Sequence, residues 1–322
     1  MTAGEIFDYY RTTRALTMDD KLDFVSFVRD TPNLTEGAMA LSGLTLSLIE
    51  NGPDEERLQM LADMIQPDSQ YVIMERAIVG LLLVMVEHDA VLRGNMRLLD
   101  LCQEALTNDL ELTFTALCNI ARTTQVGRVV RCNQNLTKDI LPLLQGDQQS
   151  EIQPILQRYR DEMVAIAKLQ LDQNYVFFKD LYKMPYFRES AANWLLPWSE
   201  DVLLNIPEDD REDVHELLSK WPICDSDKFA LINNKMYKML KNVIQDRLQM
   251  DSLGEMGIAM GGEDIITNQY TQQLYRFFQL SPFTQVNPFE KAFRLRETMV
   301  YRLVVVGKAA QDTIGELLWN GN

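Results

Sequence analysis

The chain has 322 residues, of which 46% are hydrophobic and 24% are charged, and its formal net charge at pH 7 is −16. This hydrophobic share is ordinary for a globular protein, so a core can form without disulfides or metals. The acidic balance argues against a general nucleic-acid binder, because phosphate recognition needs a dominant basic surface, and it disfavours anionic membranes.

The sequence shows no sign of secretion, membrane insertion or a metal centre. Its four cysteines are widely spaced and form no CxxC pair, so reduced thiols in a cytoplasmic protein are predicted. The N-terminal MTAGEIFDYY lacks the basic and apolar segments of a signal peptide. The longest apolar run, residues 77–86, is about half the length of a membrane-crossing helix. We therefore predict no cofactor, no bound metal and no membrane insertion.

The first half of the chain carries the spacing of amphipathic helices. Thr17 is a predicted N-cap, and apolar residues follow it at helical intervals. Asn51-Gly52 is predicted to end the next helix, and Pro53 to stand at the first position of the one after. Residues 77–86 are predicted to form a helix that is buried on most sides. With eleven prolines and fifteen glycines, too few for a turn-rich β-fold, the composition favours an all-α protein.

Helix pairs begin near residues 18, 53, 92 and 125, at intervals of 35, 39 and 33 residues. This spacing is typical of stacked antiparallel helical hairpins, as in HEAT or tetratricopeptide arrays. Because no strict repeat signature recurs, the predicted fold is an irregular α-solenoid.

Two regions are predicted. Residues 1–145 form the N-terminal helical-hairpin repeat region, and the polar stretch 145–150 marks the boundary. Residues 150–322 form a C-terminal helical region, in which a long helix from Ile152 runs into an aromatic-rich stretch. Further helices are predicted from 208, over 227–249, 264–280 and 288–318. The chain end lacks a polar capping helix, so we expect the chain to be part of a longer protein.

The densest aromatic stretch is residues 175–198, which we call the aromatic junction. A side chain of this type buries about 150–250 Å², so the stretch is expected to join several helices. An exposed platform for a peptide, glycan or base is the functional alternative. A weaker copy of its start, Tyr275-x-Phe277-Phe278, follows 100 residues later. The aromatic side chains of the junction are Tyr175, Phe177, Phe178, Tyr182, Tyr186, Phe187, Trp194 and Trp198.

Two stretches contain basic residues and no acidic ones, although the chain as a whole is acidic. Each is a candidate binding face for an acidic peptide. The first contains no acid from residue 119 to 138, and the second contains none from 228 to 245. Pairing with the protein's own carboxylates is the alternative. The candidate side chains are Arg128, Arg131 and Lys138 in the first stretch and Lys235, Lys238 and Lys241 in the second.

No complete catalytic motif is present. His215-Glu216 opens like the helical zinc-protease motif, but Ser219 occupies the position of the second histidine ligand. The glycines of residues 254–262 lack the lysine and hydroxyl of a phosphate-binding loop. A hydrolase that uses paired carboxylates stays open, because sequence alone does not pair them in space.

Four segments carry a family resemblance. They are Phe177-Phe178-x-x-Leu181-Tyr182-Lys183-Met184-Pro185-Tyr186-Phe187, Asn193-Trp194-x-x-Pro197-Trp198, residues 273–278 and residues 287–289. Over about residues 150–293 the chain resembles uncharacterised bacterial proteins in which a helical region precedes C-terminal tetratricopeptide repeats. The resemblance implies a larger parent protein and an interaction role, and it implies no catalytic residues.

The predicted function is therefore a non-catalytic helical scaffold that binds an unidentified protein or peptide. Nucleic acid is not a predicted partner. Two alternatives remain at this point. One is a hydrolase that uses Asp or Glu as acid and base beside the aromatic junction. The other is a structural spacer domain.

Overall fold

Helices form all the regular secondary structure of the residues that the computed structural model describes. These residues are 1–14, 16–31, 33–144, 152–199, 203, 206–220, 223–236, 262–297, 301–302 and 305. The all-α prediction is confirmed for them. The α-helices are α1 (Ala3–Thr12), α2 (Met18–Asp30), α3 (Leu34–Asn51), α4 (Glu55–Ala62), α5 (Tyr71–Glu87), α6 (Asp89–Arg93), α7 (Met96–Thr107), α8 (Leu110–Thr123), α9 (Val126–Leu144), α10 (Ile152–Lys168), α11 (Tyr175–Leu181), α12 (Pro185–Glu189), α13 (Glu208–Lys220), α14 (Asp225–Asn233) and α15 (Gly262–Leu280), and 3-10 helices span Ala192–Trp194 and Pro288–Glu297.

Capping residues set several helix ends as the sequence predicts. Thr17 accepts a hydrogen bond from the Asp20 amide, and the Asp20 carboxylate accepts one from the Thr17 amide. Gly52, at φ +92°, ends α3, as predicted. The Pro53 prediction is wrong, because the carboxylate of Asp54 caps α4 by accepting from the Arg57 amide, so the helix begins two residues later.

The C-terminal region differs from prediction in two helices. The helix from Ile152 ends at Lys168, and a turn separates it from α11, so it does not run into the aromatic junction. The segment after Pro288 is a 3-10 helix to Glu297 rather than the start of a long α-helix. The boundary predicted at 145–150 and most of the helix predicted over 227–249 lie outside the described residues.

Six of the helices from α2 to α8, all except the short α6, pack in two rows. In one row, which we call the outer row, α2 packs on α4 and α4 packs on α7. In the other, the inner row, α3 packs on α5 and α5 packs on α8. Each outer-row helix is followed in the chain by its inner-row partner, because the connections are short.

The inner row is covered on a further side by other parts of the chain. Helix α1 packs on α3, α15 packs on α8 and α5, and the Pro288–Glu297 helix packs on α5 and α8. As a result, all side chains from Gly37 to Ile49 and from Ile73 to Val86 are buried. Residues 77–86 thus form part of a helix buried on most sides, as predicted. Within the described residues, no helix has both the length and the apolar character needed to cross a membrane.

One hydrophobic cluster contains residues from both predicted regions. It extends from Phe7 and Leu82 through Phe178 and Trp194 to Phe277. Close approach of two helices contributes to this packing, since a Cβ on Gly43 of α3 would lie 2.3 Å from the carbonyl oxygen of Phe7 in α1. Smaller clusters lie around Leu218 in α13 and around Val129 in α9.

Candidate functional site

The first predicted basic face lies on α9, and one of its cations is paired within the chain. The Arg128 Nε lies 2.8 Å from Oε1 of Glu162 in α10. This hydrogen bond raises the pKa of Arg128 and lowers that of Glu162. Arg131 and Lys138 are exposed on the same helix. The α9 face therefore offers two exposed cations, with Arg128 held by the neighbouring helix.

The second predicted basic face is described in part. Lys235 is exposed in the turn that ends α14, with φ +54°. Lys238 and Lys241 lie outside the described residues.

The aromatic junction contains a buried group of rings. Tyr175, Phe178, Phe187 and Trp194 are buried. The Trp194 ring lies 5.3 Å from that of Phe187, 5.8 Å from that of Phe178 and 6.0 Å from that of Phe277 in α15. Its indole Nε1 donates to the Phe187 carbonyl oxygen at 2.8 Å. These side chains join α11, α12 and α15 and leave no ring face free for a ligand at Trp194, which is 1% exposed.

The remaining junction side chains lie nearer the surface. Tyr182, Tyr186 and Trp198 are half-buried. Phe177 is 43% exposed and does not join the buried group. The reason is the helical period of α11: Tyr175 and Phe178 lie three residues apart on its inner face, and Phe177 lies off that face.

A fully buried ion cluster connects the turn after α10 with α14 and α15. Arg276 donates from Nε and Nη2 to the two carboxylate oxygens of Asp172, at 2.7 and 2.6 Å. It also donates from Nη1 and Nη2 to Asp227, at 2.8 and 3.1 Å. Its guanidinium carbon lies 4.5 Å from the centroid of the Phe178 ring. Burial raises the pKa of Asp227, because desolvation outweighs the attraction of Arg276.

One side chain of α15 also caps α14. Cys224, the N-cap residue of α14, makes no side-chain cap bond there. Gln273, with its amide oxygen turned toward α14, accepts from the backbone amides of Asp225 and Ser226 at 3.1 Å. The ion cluster and this cap together fix α14 against α15, which assigns Asp172, Asp227 and Arg276 a structural role.

A second buried polar group lies where α3, α5 and α15 meet. Arg76 donates from Nη1 to Oγ of Ser42 at 3.0 Å, and its guanidinium carbon lies 4.2 Å from the centroid of the Tyr270 ring. Glu75 is 1% exposed and its Oε1 has no hydrogen-bond partner. Burial raises the pKa of Glu75 to about 8, which keeps the carboxyl protonated at neutral pH.

Four of these buried residues were not predicted as site residues from the sequence: Glu75, Asp172, Asp227 and Arg276. One signal was present, since Arg276 stands between Tyr275 and Phe277 in an apolar run, where a charged side chain needs a buried partner. The partner itself has no sequence signal, because Asp172 lies 104 residues away.

A shallow, open groove with a volume of about 420 Å³ lies between α4 and α7. We call it the α4–α7 groove. Arg97 and Glu55 form an ion pair across it. Its lining residues are Glu55, Gln59, Arg97, Asp100, Leu101 and Glu104. A smaller depression of about 260 Å³ lies beside Glu50 and residues 282–286.

One histidine is hydrogen-bonded within the fold, and the cysteines are buried. His88 Nε2 lies 2.9 Å from the Ile49 carbonyl oxygen, and the four cysteines are free and buried. In the part of the chain that the structure describes, no three His, Cys, Asp or Glu side chains come together as metal ligands would.

Comparisons with protein-family models, curated proteins and solved structures find no match to this chain. The resemblance to bacterial helical proteins with C-terminal tetratricopeptide repeats therefore stays a prediction.

Proposed function

We propose that the chain is a non-catalytic scaffold of the α-solenoid type that binds a protein or peptide. The observation that supports it best is the pairing of helices in two rows, α2–α4–α7 and α3–α5–α8. Successive hairpins stacked in this way present an extended surface to a partner.

The contact surface we propose is the outer row, at the α4–α7 groove. The other row is enclosed, since α1, α15 and the Pro288–Glu297 helix pack on it. The groove is shallow and carries charged side chains around Leu101, and charged residues at an interface direct partner choice. Cytoplasmic location and the absence of nucleic-acid partners belong to this proposal.

A catalytic role is less well supported. A two-carboxylate mechanism needs one carboxyl free to give a proton and another free to accept one. The buried pair Asp172 and Asp227 is bridged by Arg276, which occupies oxygens of both carboxylates. The spacer alternative predicts that no surface variant changes binding.

The proposal is tested by comparing affinity-purified partners of three forms of the chain in its native cell. The groove variant is Asp100→Lys/Glu104→Lys. The control is Asp8→Lys/Asp161→Lys, which makes the same charge change at two exposed positions outside the groove. We expect partners that the wild type and the control retain and the groove variant loses. Identical partner sets for all three forms would contradict the proposal.

A further inference from the structure

The chain passes from an outer-row to an inner-row helix at three turns, and these turns lie side by side. Arg29, in the last turn of α2, donates from Nη2 to the Asp63 carbonyl oxygen, just after α4, at 2.6 Å. Asn108, just after α7, donates from Nδ2 to the Ile65 carbonyl oxygen at 2.8 Å. The first and third turns are thus both bonded to the second. The segments around the turns, which we call the turn edge, are residues 30–37, 62–71 and 105–113.

Two of the inner-row helices start at nearly the same level along this edge. A Cβ on Gly80 of α5 would lie 2.6 Å from Oγ1 of Thr45 in α3, so these two residues face each other. Gly80 is nine residues from the start of α5, and Thr45 is eleven from the start of α3. Near the other ends, His88 Nε2 lies 2.9 Å from the Ile49 carbonyl oxygen. The two helices are therefore parallel, and their first residues differ in level by about 3 Å, two residues of helical rise.

Each inner-row helix begins with an exposed apolar side chain. Leu34 is the first residue of α3 and is 36% exposed, Tyr71 is the first of α5 and is 40% exposed, and Leu110 is the first of α8 and is 47% exposed. Packed helix axes lie about 8–10 Å apart, so side chains at three corresponding positions form a row of about 16–20 Å. A row of this kind favours an interaction surface over isolated exposure.

The turn edge is acidic. Each of its three segments contains two acidic residues and no lysine, arginine or histidine. Asp68 and Glu111 are exposed, and Asp63 is half-buried. The ion pairs that the outer-row helices form use carboxylates outside the turn edge. A partner that covers this edge therefore needs basic side chains as well as apolar ones.

A helix fits the spacing of the apolar row better than a β-strand does. Seven residues of an α-helix make about two turns, return to the same face and advance about 10.5 Å. In a strand, the side chains of one face repeat every two residues, at about 7 Å and then at about 13 Å. The helical repeat is the one that matches the spacing of about 8–10 Å between neighbouring inner-row helices.

We propose that the turn edge binds a basic amphipathic helix of a partner protein. Apolar side chains at seven-residue intervals contact Leu34, Tyr71 and Leu110, and lysine or arginine side chains beside them pair with Asp68 and Glu111. The proposal extends the proposed scaffold function by a second contact surface and a defined class of partner. Because the turn edge shares no residue with the α4–α7 groove, either surface can fail its test without the other.

The test is fluorescence anisotropy of a labelled peptide of about fifteen residues, titrated with the full chain. Leucines occupy the a and d positions of its heptads, and lysine and alanine fill the others. We expect the peptide to bind, and to bind more weakly as salt is added, because the ion pairs are exposed. A peptide of the same composition with the leucines in scrambled positions is expected to bind at least about ten-fold more weakly, since it has no apolar face. A peptide with glutamate in place of lysine is expected not to bind.

One pair of variants tests the apolar row. Leu110→Gln removes one of its three apolar side chains and is expected to weaken peptide binding at least about five-fold. Val164→Gln is the matched control, because Val164 is 46% exposed on α10, outside the turn edge. We expect it to bind the peptide as the wild type does. Equal affinities of the two variants would contradict the apolar contact.

A second pair tests the charges and separates the turn edge from the α4–α7 groove. Asp68→Lys/Glu111→Lys is expected to weaken binding at least about five-fold, because it replaces two attractive charges by repulsive ones. Asp100→Lys/Glu104→Lys makes the same charge change in the groove and is expected to leave the affinity unchanged. Loss of the peptide from the groove variant alone, equal losses from both variants, or no binding of the peptide to the wild type would overturn the proposal.

Discussion

Arg276 and Asp172, which lie 104 residues apart, form a buried two-point ion pair with distances of 2.6 and 2.7 Å. The pair holds α15 against the turn that precedes the aromatic junction. Because Asp227 binds the same guanidinium, the position of α14 depends on it too.

Replacement of Arg276 by methionine is expected to lower the free energy of unfolding by about 3–5 kcal/mol, because two carboxylates lose their buried partner. Urea unfolding followed by circular dichroism measures the change. Arg97→Met removes an exposed ion pair with Glu55 and is expected to cost less than about 1 kcal/mol. Equal costs for the two variants would show that the Arg276 cluster is not a principal source of stability.

Stability is expected to fall between about pH 4.5 and pH 8 because of Glu75. Its pKa in the folded chain is about 8, above the ordinary value of 4.5, so the folded state binds more protons than the unfolded state in this range. Stability therefore decreases as pH rises through the folded pKa. Glu75→Gln is expected to flatten this part of the curve of melting temperature against pH. The exposed carboxyl variant Glu111→Gln serves as control, and parallel curves for the wild type and Glu75→Gln would refute the assignment.

Gln170 and Lys235 both follow a helix with positive φ, at +53° and +54°. Lys235→Gly is expected to stabilise the chain by about 0.5–1 kcal/mol, because glycine adopts this conformation without steric cost. Gln170→Gly is expected to gain less, since it removes the acceptor of an Arg122 hydrogen bond. Chemical unfolding of both variants checks the order, and a larger gain for Gln170→Gly would contradict it.

Gly43→Ala is expected to destabilise the chain by about 1–3 kcal/mol, because the added Cβ meets the backbone of α1 at 2.3 Å and the backbone cannot move aside as a side chain can. Gly4→Ala is the matched control, as the nearest atom to its Cβ is 3.8 Å away. We expect its melting temperature to stay within error of the wild type. A Gly43→Ala variant as stable as the control would mean that α1 does not pack closely on α3.

Local features of this fold follow from the sequence, and contacts between distant segments do not. The Thr17 cap and the end of α3 at Gly52 were predictable because their determinants lie within one helical turn. The similarity of Tyr175 and Tyr275 was also visible in the sequence. That their rings pack 5.9 Å apart was not, because no local pattern encodes a pairing across 100 residues.

The predicted site residues were also those with a local sequence pattern, and the residues that the structure brings together have none. The α9 cations were identified from their helical spacing, which is local. The Arg276 cluster and the α4–α7 groove are formed by side chains that meet only in the folded chain.

Because α15 packs on α5 and α8, we expect it to unfold in the same cooperative unit as the inner row. Native-state hydrogen exchange tests it most directly, by comparing the opening free energies of amides in residues 268–280 with those in α3 and α5. We predict equal values, close to the global free energy of unfolding. Exchange of residues 268–280 at a clearly lower free energy, while α3 and α5 stay protected, would contradict the account.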